Sequence, residues 1–464
     1  MMRSLYSGVS GLQNHQTKLD VIGNNVANVN TIGFKKNRVN FQDMLYQSSQ
    51  GATRPTDDLG GINPKQVGLG MTVATIDTIH TQGSMQTTGN KSDVAIQGDG
   101  FFVMKQGDNL FYTRAGAFNI DAEGVLVNPA NGMRVQGWAA EQVDGESVIN
   151  ATGDVGDLTI PMYGKEPAKA TSRVEMMCNL NKNTAIIPEG AAQSVINENT
   201  WVVDKTIYDS FGNTHQMRIE YTREPDTVNT WRGRVFINPE EGNENPTALT
   251  VGLNGAQGGG TEFLVSFDNL GALAAVTDID GNVINEGELN VTVGFDVPES
   301  NLDEAGAPQR QLFDIVVGTV GSFENSTTQS AQSSSNKSFR QDGYAMGYLT
   351  SFNIDANGII NGVYTNGTSK ALGQLAMATF TNPGGLEKSG ETNFVQSTNS
   401  GEALIDPANI AGKGKIGAGM LEMSNVDLSA EFVDMIVAQR GFQANSKGIQ
   451  TADTLLQEVL QLKR

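Results

Sequence analysis

The sequence predicts an α+β multidomain chain: N- and C-terminal coiled-coil helices form an inner core, and all-β domains are nested between them. Three observations carry this. Apolar residues recur in steps of three and four at both ends of the chain, which is the helical period. The middle is rich in Thr, Val and Asn, with Asp-Gly and Asn-Gly turns between short apolar runs, the texture of strands. A seven-residue block occurs twice, once on each side of that middle.

The first stripe reads Leu5, Val9, Leu12, Gln16, Leu19, Ile22, Val26 and Val29. The last reads Leu428, Phe432, Met435, Gln439, Phe442, Ser446, Ile449 and Leu456, with Asp453 in the remaining step. Stripes this narrow are coiled-coil seams and need a partner, and the two ends are each other's nearest candidate. Gln439, Ser446 and Asp453 interrupt the apolar line; such polar knobs lower stability and set register. Asn425 or Asp427 is the expected N-cap of the last helix. A helix from there to about Leu462 would be ~50 Å long. A chain that leaves from one helix and returns through another has the layout of a filament subunit; a helix pair closed within one monomer is the alternative.

The first helix should stop between Asn28 and Gly33, where Asn and Gly cluster. Residues 1–33 with 425–464 then make the helical domain. Residues 34–73 are polar and irregular, with Gly51, Pro55, Gly60, Gly61 and Pro64, and read as a linker or an extended arm. From Val73 strands begin. Tyr112 to Val127 alternates, turns at Asp121-Ala122-Glu123-Gly124 and alternates again, a hairpin signature. Phe118-Asn119-Ile120-Asp121-Ala122-Glu123-Gly124 recurs as Phe352-Asn353-Ile354-Asp355-Ala356-Asn357-Gly358. One inner β-domain, 74–150 with 335–424, is therefore expected around an outer all-β insertion, 151–334. Asn325 to Ser338 is low in complexity and reads as the return linker.

Composition excludes several functions. Lys plus Arg is 31 against 51 Asp plus Glu, a net charge of −20, so no nucleic-acid partner is expected. No stretch is apolar enough for membrane insertion, and no secretory leader is visible. One cysteine, Cys178, excludes an intrachain disulfide. His15, His80 and His215 are isolated and lack metal-ligand spacing; His15 reads as a polar interface residue. Asp278-Ile279-Asp280-Gly281-Asn282 reads as a hairpin turn and not a calcium loop. Gly68-Leu69-Gly70 and Gly258-Gly259-Gly260 lack the context of phosphate loops. No catalytic residues, metal or cofactors are expected, and the chain reads as a structural protein and not an enzyme.

Leu5-Tyr6-Ser7-Gly8-Val9-Ser10-Gly11-Leu12, Ile22-Gly23-Asn24-Asn25-Val26-Ala27-Asn28 and Thr31-Ile32-Gly33-Phe34-Lys35 resemble the start of bacterial flagellar axial proteins. Gly98-Asp99-Gly100-Phe101-Phe102 does too. Leu421 to Leu428 and Met435 to Asn445 are similar to the C-terminal signature of rod and hook proteins. The long insertion and Tyr208-Asp209-Ser210-Phe211-Gly212-Asn213 resemble hook proteins; the distal rod proteins are similar but shorter. A secreted β-rich adhesin is the alternative of a different class. The resemblance implies a homopolymer forming a curved, flexible tube between rod and filament. It also implies rod, hook-cap and hook–filament junction proteins as partners, and export through the flagellar type III apparatus.

Cys178, in Met176-Met177-Cys178-Asn179, reads by itself as a small apolar filler. The setting is similar to spirochaete hook proteins, whose neighbouring subunits become joined through lysinoalanine and whose hook lies in the periplasm. That resemblance implies Cys178 as the precursor of the electrophile, Lys165 as the nucleophile and Asn179 as an assisting residue. Lys165 must be neutral to attack, and burial at a subunit interface would favour that. Sequence spacing leaves both an intrachain and an intersubunit link open.

Overall fold

The structure is a computed structural model. It describes residues 2–55, 60–143, 146–188, 190–225, 227–239, 249–253, 255, 260–297, 310–410 and 412–461. Gly258 and Gly259 and the expected helix end at Leu462 lie outside these. The chain divides into two compact units, Met1–Met162 with Thr350–Val363 and Ser369–Arg464, and Tyr163–Leu349 with Tyr364–Thr368. These divisions fall some residues beyond the expected 150 and 334. Leu158 and Ile160 are buried in the first unit, where Leu158 lies against Gly137 and Gly373. Strand Ser335–Gln341 pairs along strand Arg173–Asn181 in the second.

In the first unit, helices Met2–Ala27 and Leu428–Gln461 pack antiparallel. Asp427 caps the second: its Oδ1 accepts the Ser429 N–H at 2.9 Å and the Ala430 N–H at 3.3 Å. Asn425 is used elsewhere, accepting the Lys36 N–H at 2.8 Å and donating to Ile79 O. The helix axes come close because glycines line the contact. A Cβ at Gly11 would meet Asn445 Nδ2 at 2.6 Å, one at Gly8 would meet Ile449 Cγ1 at 3.0 Å, and one at Gly441 would meet His15 Nε2 at 2.6 Å. Polar ties close the far end: Lys18 Nζ to Asp434 Oδ1 at 3.0 Å and Asn25 Nδ2 to Glu431 Oε2 at 3.1 Å.

Residues 34–73 contribute to a β-ribbon. Asn37–Asp43 pairs with Met71–Thr78, and Tyr46–Gln50 pairs with Lys65–Gly68. Their side chains are mostly exposed, so no apolar alternation marks them in the sequence. The base of the ribbon is tied to the first helix, where Asn14 Nδ2 donates to Met71 O at 2.6 Å.

The β-core of this unit gathers Phe101, Val103, Tyr112, Trp138, Ala376 and Phe394 from distant strands. The repeated block forms the same turn twice. Asp121 Oδ1 accepts the Glu123 and Val125 N–H groups at 2.9 and 2.8 Å; Asp355 Oδ1 accepts those of Asn357 and Ile359, both at 2.9 Å. Gly124 and Gly358 supply the positive φ, 85° and 78°, that this turn needs.

The second unit is a β-sandwich. One sheet orders Leu249–Leu253, Glu288–Asp296, Arg310–Thr319, Arg173–Asn181 and Thr328–Ser330. The other is an antiparallel sheet, Trp201–Tyr208, Thr214–Arg223, Thr230–Ile237, Glu262–Phe267, Leu273–Asp278 and Val283–Ile284. Their apolar faces share one cluster, with Trp231, Tyr221, Phe263, Phe295 and Phe313 as its largest members. Asp278 accepts the Asn282 N–H and Nδ2–H groups at 2.9 and 2.8 Å, which places its carboxylate in a hairpin turn.

Candidate functional site

Cys178 stands near the end of strand Arg173–Asn181, which is paired on both sides. Residues 179–181 run parallel to 328–330, and 174–179 run antiparallel to 335–341, with a bulge between Met177 and Cys178. The low-complexity segment expected as a return linker is therefore two of the strands that enclose Cys178. The side chain of Cys178 is fully buried in the sandwich cluster. Its S–H donates to Thr327 Oγ1 at 3.6 Å, and that hydroxyl donates to Met176 O at 3.4 Å. Burial pushes the thiol up to about 11, opposed by the Thr327 hydrogen bond, so it is protonated at neutral pH.

Asn179 points the other way along the pleat and is also buried. Its Nδ2 donates to Ser333 O at 3.3 Å and Gln332 O at 3.5 Å, and its Oδ1 accepts from Thr328 Oγ1 at 3.4 Å. The amide ties residues 332–333 to the strand on the side away from the thiol.

Lys165 lies on a different strand pair. Lys165 is opposite Tyr348 and Glu166 opposite Gly347. Its side chain is exposed, with Nζ 6.0 Å from the Tyr348 ring centroid. Glu166 turns inward and accepts from Tyr344 OH at 3.3 Å. The strands of Lys165 and Cys178 are not paired with each other. Within one chain the thiol is covered and the amine is open; any burial of Lys165 has to come from another molecule.

The expected seam residues divide. Met435, Phe442, Ile449 and Leu456 are half-buried, as are Leu5, Leu12 and Leu19. Val9, Leu428 and Phe432 are exposed, and so are Gln16, Gln439 and Asp453. Buried places on the last helix go to Glu431, Ala438 and Ala452, the two alanines seven residues either side of Asn445. The line 435-438-442-445-449-452-456 is a heptad seam whose second position is small. Small residues on the packed faces, Gly8 and Gly11 on the first helix and Ala438, Gly441 and Ala452 on the last, were the available signal, and hydropathy does not register it.

The histidines lie in three settings. His15 meets Gly441 on one side and the edge of Phe41, 5.8 Å away, on the other. His80 lies 5.6 Å from Phe101 and 5.4 Å from Phe394; burial first, then Lys35, Arg114 and Lys388, lower it to about 4. His215 Nε2 is 3.0 Å from Asp209 Oδ2, and Asn238 Nδ2 is 2.8 Å from its Nδ1.

Family profiles match along the chain in order. "Flagella basal body rod protein" matches residues 5–35, and "Flagellar hook protein FlgE/F/G D1 domain" residues 95–199. "Flagellar basal body protein FlaE D2 domain" matches residues 179–344, and "Flagellar basal body rod FlgEFG protein C-terminal" residues 418–462. The chain is 53% identical over 465 residues to the flagellar hook protein FlgE of Treponema pallidum, covering all of both chains. It is 53% identical over 464 residues to that of Borreliella burgdorferi, again over the whole of both. The crystal structure of the Helicobacter pylori flagellar hook protein FlgE2 aligns with a TM-score of 0.47 at 16% identity, over 71% of this chain and 98% of that one.

Proposed function

The chain belongs to the flagellar hook protein family and is a structural subunit of the hook; from that premise we propose how it assembles and becomes covalently fixed. The observation that carries the assembly is the outer face of the last helix. Phe432, Val433, Ile436 and Val437 are exposed there, while the opposite face is already occupied by the N-terminal helix. Burying such side chains is worth about 1.5–3 kcal/mol each, and only other copies can supply that in a homopolymer. Helices from many subunits form the inner tube (1–33 with 425–464). The tube is a curved, flexible joint between rod and filament. Its subunits pass through the type III export apparatus and meet rod, hook-cap and junction proteins at its ends; in a spirochaete it lies in the periplasm.

The second part is crosslinking. A base removes the Cα proton of Cys178, and the electron pair forms the Cα–Cβ double bond as the Cβ–S bond breaks. Hydrosulfide leaves, taking up a proton as hydrogen sulfide, and dehydroalanine remains. The neutral Nζ of Lys165 from a neighbouring subunit adds to Cβ, and Cα is reprotonated. The product is lysinoalanine; the sum loses one hydrogen sulfide and needs no oxidant. What supports this reading is the resemblance to spirochaete hooks together with the open amine of Lys165, which is free to reach another molecule. Asn179, next to Cys178 on the strand and tied to residues 332–333, is the assisting residue.

The test is denaturing electrophoresis of assembled hooks. Wild type should remain a ladder in hot denaturant with reductant, because a secondary amine is not reducible. Cys178→Ala and Lys165→Arg should assemble yet dissolve to monomers, since a guanidinium stays protonated and does not add to the alkene. A normal ladder from Lys165→Arg would exclude this lysine.

A further inference from the structure

Tyr221 is wholly buried in the sandwich, and its hydroxyl has no hydrogen-bond partner among the described residues. A phenylalanine would fill the same space without stripping a hydroxyl of its water, so packing alone does not account for the oxygen. Strand pairing places it on the Cys178 side of the core. Cys178 stands opposite Asn336 in one sheet, and Tyr221 opposite Trp201 in the other. Residues directly opposite on antiparallel strands share a face. The two pairs meet across the sandwich, where Trp201 Nε1 donates to Asn336 Oδ1 at 3.1 Å, and Cys178 and Tyr221 belong to one cluster. On its other side Tyr221 pairs with Gly233, whose missing side chain leaves room for the Phe263 ring. That ring meets Tyr221 edge-on with centroids 6.2 Å apart, which fixes the phenol in place. Burial first, and then charge on the Cys178 sulfur, push the Tyr221 phenol well above its usual value, so negative charge at the sulfur is felt at the hydroxyl. Thr327, also fully buried, supplies a second hydroxyl, 3.6 Å from the Cys178 Sγ.

We propose that the hydroxyls of Tyr221 and Thr327 form a site for departing hydrosulfide, donating hydrogen bonds to the negative charge that builds on Sγ as the Cβ–S bond of Cys178 breaks. This rests on the proposed crosslink and adds to it the groups that release the sulfur. The resting thiol is neutral, but hydrosulfide carries a full charge, and an unpaired charge in an apolar core is very unfavourable. Two donors already fixed in a dry site stabilise that charge where it develops and need no rearrangement of solvent. The Tyr221 O–H is free to donate as it stands. The Thr327 hydroxyl accepts the Cys178 S–H and donates to Met176 O at 3.4 Å in the resting core, and it turns to donate to sulfur as the bond breaks. The electron pair of the Cα–H bond becomes the second Cα–Cβ bond, and that of the Cβ–S bond leaves with the sulfur. The proton that the base takes from Cα ends on hydrosulfide, giving hydrogen sulfide. Tyr221 and Thr327 keep their own protons throughout, which suits a phenol held so firmly protonated.

The test follows sulfide released by assembled hooks. A Lys165→Arg background blocks the addition, so sulfide release and dehydroalanine, read by mass spectrometry, report the elimination alone. In that background Tyr221→Phe should slow sulfide release at least about tenfold, the effect of removing one aimed donor. Thr327→Val should slow it likewise, and Thr327→Ser, which keeps the hydroxyl, should restore the rate. With Lys165 present, Tyr221→Phe should delay the crosslinked ladder by the same factor. Melting of the Tyr221→Phe monomer should be unchanged or raised, because the lost hydroxyl had no partner; a structural role for that hydroxyl requires a fall. Sulfide release unchanged in both Tyr221→Phe and Thr327→Val, with a normal wild-type ladder, would overturn the sulfide site and leave the crosslink standing. Slower release matched by a lower melting temperature in Tyr221→Phe would also overturn it. Wild-type hooks that give neither ladder nor sulfide would refute the crosslink, and the sulfide site with it.

Discussion

Lys35 Nζ lies 2.6 Å from Glu422 Oε1, with both side chains wholly removed from solvent and 387 residues between them in sequence. Glu422 Oε1 also accepts the Gly83 N–H at 2.9 Å, and Arg114 Nη1 stands 3.3 Å from Oε2. The Gly33 N–H donates to the Glu422 carbonyl at 2.8 Å, and a Cβ at Gly33 would meet Ala115 N at 2.5 Å. The Gly33-Phe34-Lys35 and Leu421-Glu422 motifs are thus two halves of one buried ionic knot at the root of the helices.

Glu422→Gln would leave two buried cations facing a neutral amide. The expected cost is about 3–5 kcal/mol of stability, because breaking a buried ion pair strands the remaining charge. Denaturant unfolding of the monomer, followed by hydrogen exchange in residues 81–115, measures it. A loss below about 1 kcal/mol would mean the knot is hydrated in solution.

His80 sets a pH dependence. Its folded pKa is lowered from 6.5 to about 4, chiefly by burial. The unfolded state therefore binds a proton first as pH falls. The stability contributed by neutral His80 is complete above about 6.5 and is lost between there and 4, by roughly 3 kcal/mol at most. His80→Leu should show a smaller drop in unfolding free energy than wild type between pH 7 and 4.5. Parallel curves for the two proteins would remove His80 as the source.

Cys178 should be silent in the free chain. With no exposed surface and a thiol pushed up to about 11, it should fail to react with an aromatic disulfide reagent at pH 8 over minutes. One thiol per chain should appear once guanidinium is added. Prompt stoichiometric reaction of the native monomer would show that the sandwich core around Cys178 opens by itself.

The helix pair should be sensitive at its glycines. Gly441→Leu places a side chain where His15 Nε2 sits and should weaken the pair by roughly 1–3 kcal/mol. Because so much of the last helix is exposed, amide exchange before Phe34 and after Asp427 should be weakly protected in the monomer and strongly protected in the polymer. Gly441→Leu and Phe442→Asp should both suppress polymerisation while the Tyr163–Leu349 unit keeps its protection. Wild-type protection in the monomer equal to that in the polymer would contradict this.

Sequence by itself determined what is local and periodic. The two terminal helices, the strand-rich middle and the Asp-x-x-Gly turns follow from residues within a few positions of one another, whereas the choice of Asp427 over Asn425 as cap was made by the contacts of Asn425 with Lys36 and Ile79. Hydropathy located Met435, Phe442, Ile449 and Leu456 but not the small residues between them, because Gly11, Gly441 and Ala438 act by the room they leave and not by the surface they bury. The polar ribbon of 37–78 was hidden for a related reason: its ladders are backbone hydrogen bonds with little apolar face. Only tertiary structure decided that Cys178 is sealed in the sandwich core beside Thr327, that Lys165 is open beside Tyr348, and that Lys35 meets Glu422. Those relationships join segments from 149 to 387 residues apart in sequence; the burial that sets their chemistry is a property of what the whole chain packs around each group, and no local pattern encodes it.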